Sequence, residues 1–367
     1  MNRRERVLRA LEMEEPDRVP ISEVDIDVPL MEAITGRRFP AATSLQTQVI
    51  ADRDMERRRV DLKADCYEKI GFDLFIIDLS APEDWEPTVN PDGTMVDLWG
   101  RVLRLDERSK AWVPYDTVFT SPEDYEEFDL PDPDSPGWTF AVEYARRVIG
   151  DDVALATFIR DPFSHAWEMF TPIKFVTWMY QRPRFIRGVL DELTEFNVEI
   201  IKQIAEADVD LIISGGDYCE VKGPMVPTKF FREAIFPCLR RQVEASHRRG
   251  IKFIKHTDGN VLPLVEDMVD IVDGLHSLDP SAGIDIGEVK AEYGDRLVLM
   301  GNVSVDNLAR RSRGEIEEET RECIRRASPG GGHILSSSNS WAAGADLENC
   351  LAMVETARRY GVYPIRI

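Results

Sequence analysis

From residue 138 to its end the chain repeats one unit: a short apolar run, a polar cluster, then an amphipathic helix. The runs lie at 153–159, 210–214, the start of 252–260, 274–278, 297–300 and 333–338, and two earlier ones at 19–26 and 72–79 bring the expected strands to eight. Short strands this apolar suit a parallel sheet covered on both faces. Eight such βα units favour a closed (β/α)8 TIM barrel over an open doubly wound sheet. A nucleotide-binding open sheet would carry a glycine-rich phosphate loop after its first strand, yet neither GxGxxG nor GxxxxGK[ST] occurs. Gly330-Gly331-Gly332 precedes a strand, the wrong side for a phosphate cradle at a helix N-terminus.

Between the second and third strands the texture changes. Prolines are frequent from Ala81 to Asp134, and residues 86–106 read as two extended arms around Pro91-Asp92-Gly93, a β-hairpin pattern. The reading is an excursion from the barrel mouth, a lid over residues 81–134 rather than a separate domain, so residues 1–367 form a single barrel domain. Ser44 to Ile70 reads as one long polar helix closed by Gly71, with Arg57-Arg58-Arg59 on a solvated face.

Charge narrows the function classes. Lys+Arg total 45 against 67 Asp+Glu, a net charge of −22, which repels nucleic acid and anionic membrane surfaces. The cysteines at 66, 219, 238, 323 and 350 are scattered and odd in number, which argues against a disulfide framework. No run approaches the ~18 apolar residues of a membrane span. The first residues, MNRRERVLRALEMEEPDRVP, lack the apolar core of a secretory signal. A cytoplasmic enzyme acting on a small molecule is expected.

In such a barrel the chemistry collects at the C-terminal ends of the strands. Those ends carry Glu23 and Asp25, Asp78, Arg160 and Asp161, Asp217 and Glu220, His256 and Asp258, Asp279, Asn302 and Ser304, and Ser337 and Asn339. Turns favour Asp, Asn and Ser as helix caps, which accounts for Asp279 and Ser304 as well as function does. It accounts poorly for His256, because histidine caps weakly and Asp258 is left for that role. Among the other histidines, His247 reads as solvent-facing and His333 as structural. The facing of His276 is open, and His165 comes second to His256 as a mouth residue. Cys219, beside Asp217 and Glu220, reads as a thiol nucleophile or metal ligand, or more often as a small buried residue. The assignment has His256, Asp217 and Tyr218 as catalytic, and Asp78, Arg160, His165, Asn302 and Asn339 as substrate-binding.

Several stretches resemble one family: MNRRERVLRALEMEEPDRVPI, GGDYCEVKGPMVPTKFFREAIFPCLRRQVEASHRRG, KFIKHTDGN, LVLMGNVSVDNL and PGGGHILSSSNSWAAGADLENCLAMVETAR. They are similar to the uroporphyrinogen decarboxylase superfamily over nearly the whole chain. The resemblance implies a deep cleft at the strand ends, barrels that commonly pair as homodimers, and one of two activities. Decarboxylases of the superfamily strip acetate groups from a tetrapyrrole without a cofactor. Methyltransferases pass a methyl group from a small substrate to a corrinoid protein, usually with zinc. The decarboxylases carry an arginine-rich segment where this chain has Ile21-Ser22-Glu23-Val24-Asp25-Ile26-Asp27, acids that would repel a polyanionic porphyrinogen. Thiol-type zinc methyltransferases carry His-x-Cys and a later Cys where Asp258 and Asn339 stand here. The chain therefore resembles the ether-demethylating branch, with Glu220, His256 and Asp258 as metal ligands, Asp217 a further candidate, and a corrinoid protein as partner. The alternatives are a cofactor-free decarboxylase or lyase, with Arg160 anchoring a carboxylate, and a non-catalytic binding barrel, disfavoured by so many ionisable groups at one mouth.

Overall fold

The computed structural model describes residues 1–43 and 49–367. Along the chain, β1 (Leu74–Asp78) is followed by an inserted group, β2 (Thr88–Val89), β3 (Met95–Val96), β4 (Arg101–Asp106) and β5 (Ala111–Thr117). Next come β6 (Ala154–Arg160), β7 (Leu211–Gly215) and a small hairpin of β8 (Cys219–Glu220) and β9 (Gly223–Pro224). The series ends with β10 (Lys252–Thr257), β11 (Gly274–Ser277), β12 (Val298–Met300) and β13 (His333–Ile334). Seven strands pair in the order β1-β6-β7-β10-β11-β12-β13, and each pair is parallel.

The gap between β13 and β1 is closed by the chain near residue 21. Ile21 bridges Leu335 in parallel, Leu335 N donates to Pro20 O at 2.9 Å, and Asp73 N donates to Ile21 O at 2.8 Å. This is the expected first strand, reduced to isolated bridges. Pro20 has no N–H to give a ladder, which shortens the pairing. The eight positions of a (β/α)8 barrel are thus filled.

Alternation decides what faces the barrel interior. Leu74, Ile76, Ala154, Ala156, Leu211, Ile213, Ile254, Val298, Met300 and Ile334 form one buried cluster with Val7, Ala10 and Leu11 of the N-terminal helix Arg3–Leu11. That helix therefore plugs the floor of the barrel. Continuing the same alternation toward the strand ends carries Asp78, Arg160 and His256 inward at the opposite end, with His276 level with His256 in the next strand. The intervening residues, such as Phe75, Leu155, Ile212, Phe253, Leu275 and Leu299, pack outward under the helices.

The insertion is larger than a single hairpin. The expected turn at Asn90–Thr94 is present, with Thr88 opposite Val96, but the antiparallel sheet continues through β4 and β5. Its base is pinned by Arg101, fully buried, whose guanidinium meets Asp97 at 2.7 Å and Glu168 of the helix Pro162–Phe170 at 2.6 Å.

Two further expectations change. The long polar helix spans Arg53–Ile70, capped by Asp52, whose carboxylate accepts from Met55 N at 2.6 Å, and Gly71 ends it in the left-handed conformation. Residues 44–48, the start of the expected helix, lie outside the described residues. The arginine run is also divided: Arg57 and Arg58 are exposed, but Arg59 is buried and binds Glu56 at 2.8 Å and Asp78 at 2.6 Å. The helix period turns the third arginine toward the end of β1.

Candidate metal and active site

Two strand ends are latched together to make the site. After β7 the turn Gly215-Gly216 lets the chain pass the helix Pro162–Phe170; a Cβ on Gly216, at φ +139°, would lie 2.0 Å from Ser164 Oγ. The next residues bond to the end of β10: Tyr218 N donates to Thr257 Oγ1 at 2.9 Å, and Asp258 N donates to Asp217 Oδ1 at 3.0 Å. Gly259, at φ +76°, then presses on the β8 turn, where a Cβ would meet Glu220 O at 2.5 Å. Gly259→Ala is expected to destabilise the fold by about 1–3 kcal/mol through left-handed strain and this clash. Chemical denaturation checks it, and an unchanged midpoint would contradict the close approach.

The result is a compact set of donors. One ligand atom each from Asp217, His256 and Asp258 lies within 4.8 Å of the others. Asp258 Oδ2 accepts from the Asn339 amide; Oδ1, buried with the Ser277 hydroxyl beside it, makes no well-formed hydrogen bond and faces His256 Nε2 at 3.9 Å. Burial first, and the neighbouring Asp217 second, push the Asp258 carboxyl above its usual range. Burial holds His256 neutral, its imidazolium pKa lowered to about 3, with Lys255 and Arg160 adding to the effect. A buried carboxylate oxygen without a well-formed hydrogen bond, opposite a neutral imidazole nitrogen, is a costly arrangement that a cation would relieve. The donor set, two carboxylates and one imidazole, fits a zinc site of the three-ligand catalytic kind and also suits other divalent ions.

The structure gathers some expected residues and disperses others. Asp217, His256, Asp258 and Asn339 come together. Glu220 does not join them: it lies on β8 with its side chain exposed, because the hairpin turns it outward, and Asp217 takes the place expected for it. Tyr218 is fully buried and donates to Asp161 Oδ2 at 2.8 Å, and burial raises its pKa well above the usual tyrosine range. It is packed for structure and presents no proton at the mouth. Asp78 is held by Arg59. Arg160 faces inward but is bound to Glu168, which also takes Arg101. His165 is buried with its ring 4.1 Å from that of Trp99 in the insertion. Asn302 Nδ2 donates to Leu278 O at 2.7 Å, and its Oδ1 accepts from the Cys323 thiol. Cys219 is buried, and burial pushes its thiol up to about 12, which suits the small-residue reading.

His276 and Glu23 carry more than the sequence suggested. His276 sits beside His256 in the parallel register of β10 and β11, Nδ1 to Nδ1 at 2.6 Å. Lys255, one residue before His256, points outward into a buried network with Asp161 at 3.7 Å and the carbonyls of Ser214, Gly216 and His256.

The acidic 21–27 segment is also less charged than its sequence. Asp25 is neutralised by Lys63 at 2.5 Å. Glu23 is fully buried, accepts from Ser337 N and Oγ, and burial raises its carboxyl pKa to about 8. Repulsion of a polyanion by this loop is therefore weaker than its composition implies, although the segment supplies no arginine to grip one. The proton on Glu23 has a pH consequence. The folded state holds it more tightly than the unfolded chain does. Its contribution is fully present below the unfolded value near 4.5 and is lost as pH rises through about 8. Stability is expected to fall across that window by up to about 1.4 kcal/mol per pH unit from this group. Glu23→Gln should flatten the slope in urea titrations run from pH 5 to 8; an identical slope in wild type and variant would contradict the assignment.

The comparisons agree with this architecture. A family model described as Uroporphyrinogen decarboxylase (URO-D) matches residues 103–360. Uroporphyrinogen decarboxylase of Methylococcus capsulatus is 25% identical over 232 residues, 60% of this chain and 63% of that protein. Methylcobamide:CoM methyltransferase MtaA of Methanosarcina barkeri is 26% identical over 222 residues, 60% of this chain and 62% of that protein. The match thus spans less than two thirds of either relative's length. Among solved structures, a methyltransferase from Methanosarcina mazei superposes with a TM-score of 0.74 at 21% identity, covering 98% of this chain and 99% of that one, which establishes a shared fold. Among the described residues no helix is long and apolar enough to cross a membrane.

Proposed function

Because the chain belongs to the uroporphyrinogen decarboxylase (URO-D) family, we propose that it is the methyltransferase component of a corrinoid-dependent demethylation system. Its substrate is a small methylated compound of ether type, and the methyl acceptor is a corrinoid carried by a partner protein. The observation that supports this reading is the group of Asp217, His256 and Asp258 at the mouth. These three would hold a divalent ion, and a set of two carboxylates and one imidazole suits zinc among other divalent ions. Bound there, the ion supplies Lewis-acid polarisation of the substrate oxygen, useful because an alkoxide leaves reluctantly. The carboxylates of Asp217 and Asp258 balance its charge. Asn339 orients Asp258 by donating to Oδ2, which leaves Oδ1 directed at the site. A reduced corrinoid on the partner would supply the nucleophile that accepts the methyl group; the substrate oxygen would leave with its bonding pair and take a proton from water.

The second reading, a cofactor-free decarboxylase or lyase, draws on the similarity to the Methylococcus capsulatus enzyme. Against it, Arg160 is engaged by Glu168 and is not free to anchor a carboxylate, although Asp217 and His256 remain placed to manage a proton. One assay separates the two. The zinc-loaded chain is incubated with methoxylated aromatic compounds and free cob(I)alamin, with methylcobalamin followed by absorbance and CO2 trapped in parallel. Methylcobalamin formation supports methyl transfer. Release of CO2 from a carboxylated substrate without cobalamin would overturn it.

A further inference from the structure

We propose that His276 is a positioning residue that fixes the proton of His256 on Nδ1 and thereby aims the Nε2 lone pair at Asp217 and Asp258. His276 Nε2 lies 3.3 Å from Ser337 O and 3.2 Å from Ser336 Oγ. A carbonyl oxygen only accepts, and the Ser336 hydroxyl already donates to that same carbonyl at 2.8 Å. Nε2 of His276 therefore carries the hydrogen. In the neutral ring Nδ1 is then a bare lone pair. It faces His256 Nδ1 at 2.6 Å, with the ring centres 4.9 Å apart and the planes 26° from parallel, an edge-to-edge approach. Two lone pairs cannot approach so closely, so His256 Nδ1 must donate. What remains on His256 is an unprotonated Nε2, the atom 3.9 Å from Asp258 Oδ1.

The anchor of this relay is itself rigid. Ser337 is fully buried, and its N–H and hydroxyl both bond to Glu23 at 3.1 and 2.9 Å. The carbonyl that sets His276 is thus held by the chain that closes the barrel, across from His256. A histidine that ligates a metal commonly donates its other nitrogen to a fixed acceptor, which sets tautomer and ring orientation. Here the acceptor is a second imidazole, whose own proton is set by a backbone carbonyl. The consequence for metal binding rests on the reading given under Proposed function. The tautomer itself does not.

Two measurements test it. Long-range 1H–15N spectra of the metal-free full chain, assigned with single substitutions among the five histidines, are expected to show His256 protonated on Nδ1 and His276 on Nε2. His256 protonated on Nε2 would overturn the proposal whether or not any metal binds. Zinc affinity is then measured by competition with a chromophoric chelator. His276→Phe, which keeps a ring but removes the acceptor, is expected to weaken zinc by about 10–100-fold. His276→Gln, whose amide oxygen can accept from Nδ1, should recover part of that loss. Both metal-free variants are melted alongside wild type, so that a folding defect is seen separately. Unchanged zinc affinity in His276→Phe would overturn the positioning role. Wild-type protein that binds no zinc would instead overturn the metal reading, with the spectra still deciding the tautomer.

Discussion

Replacing His256 with alanine is expected to weaken zinc binding by more than ~100-fold and to reduce methyl transfer to background. Loss of a ligand's supporting partner alone costs roughly 10–100-fold, and a direct ligand should cost more. The substitution removes the nitrogen from the group of Asp217, His256 and Asp258 and leaves two half-buried carboxylates. An oxygen-only set suits magnesium or calcium better than zinc, so the preference among ions should move in that direction. The metal-free fold should change little. His256 makes one side-chain hydrogen bond, to His276, worth about 1 kcal/mol net. Chelator competition measures the affinity and cobalamin absorbance the transfer. Wild-type zinc affinity in His256→Ala would remove His256 from the site.

Asp73→Ala is expected to cost about 3–5 kcal/mol of folding stability, far from the site. Asp73 is fully buried just before β1. It accepts from Arg6 at 2.7 Å, from Arg18 at 2.8 Å through both oxygens, and from Ile21 N at 2.9 Å. One carboxylate thus ties together the floor helix, the turn before the first bridge, and the place where the barrel closes. Its removal leaves the buried Arg6 with one carboxylate, Asp17, and the Met1 carbonyl, and leaves the buried Ile21 N–H without its acceptor. Breaking a buried ion pair and orphaning a buried donor together carry that penalty. Asp73→Asn keeps the volume but cannot serve two guanidiniums, and should fall between alanine and wild type. Urea unfolding at neutral pH gives the values; a loss below about 1 kcal/mol would mean the network is replaced by water.

The barrel was legible because its signal is repetition. Apolar runs at 153–159, 210–214, 274–278 and 297–300 each contain a strand, and each strand end meets the mouth. The closure near residue 21 was legible as a strand but not as mere bridges, since pairing depends on Leu335 and Asp73, distant in sequence. At the site, His256 and Asp258 could be read because they share a strand end. Asp217 and Glu220 are both candidates in the sequence, three residues apart, and only the β8 turn sets Asp217 beside His256 and Asp258 while Glu220 is exposed. Arg160, Tyr218 and Asp78 looked free because their partners Glu168, Asp161 and Arg59 come from other elements. His276 was the harder omission. Its role follows from a register between two strands, and sequence alone leaves the choice of register open.

The most direct test of the central claim is a calorimetric titration of zinc into the metal-stripped full chain and into the same chain carrying Asp258→Ala. A single ion bound tightly by wild type, with that event lost in the variant, is the expected result. No binding to wild type, or binding that Asp258→Ala leaves untouched, would contradict a metal held by Asp217, His256 and Asp258.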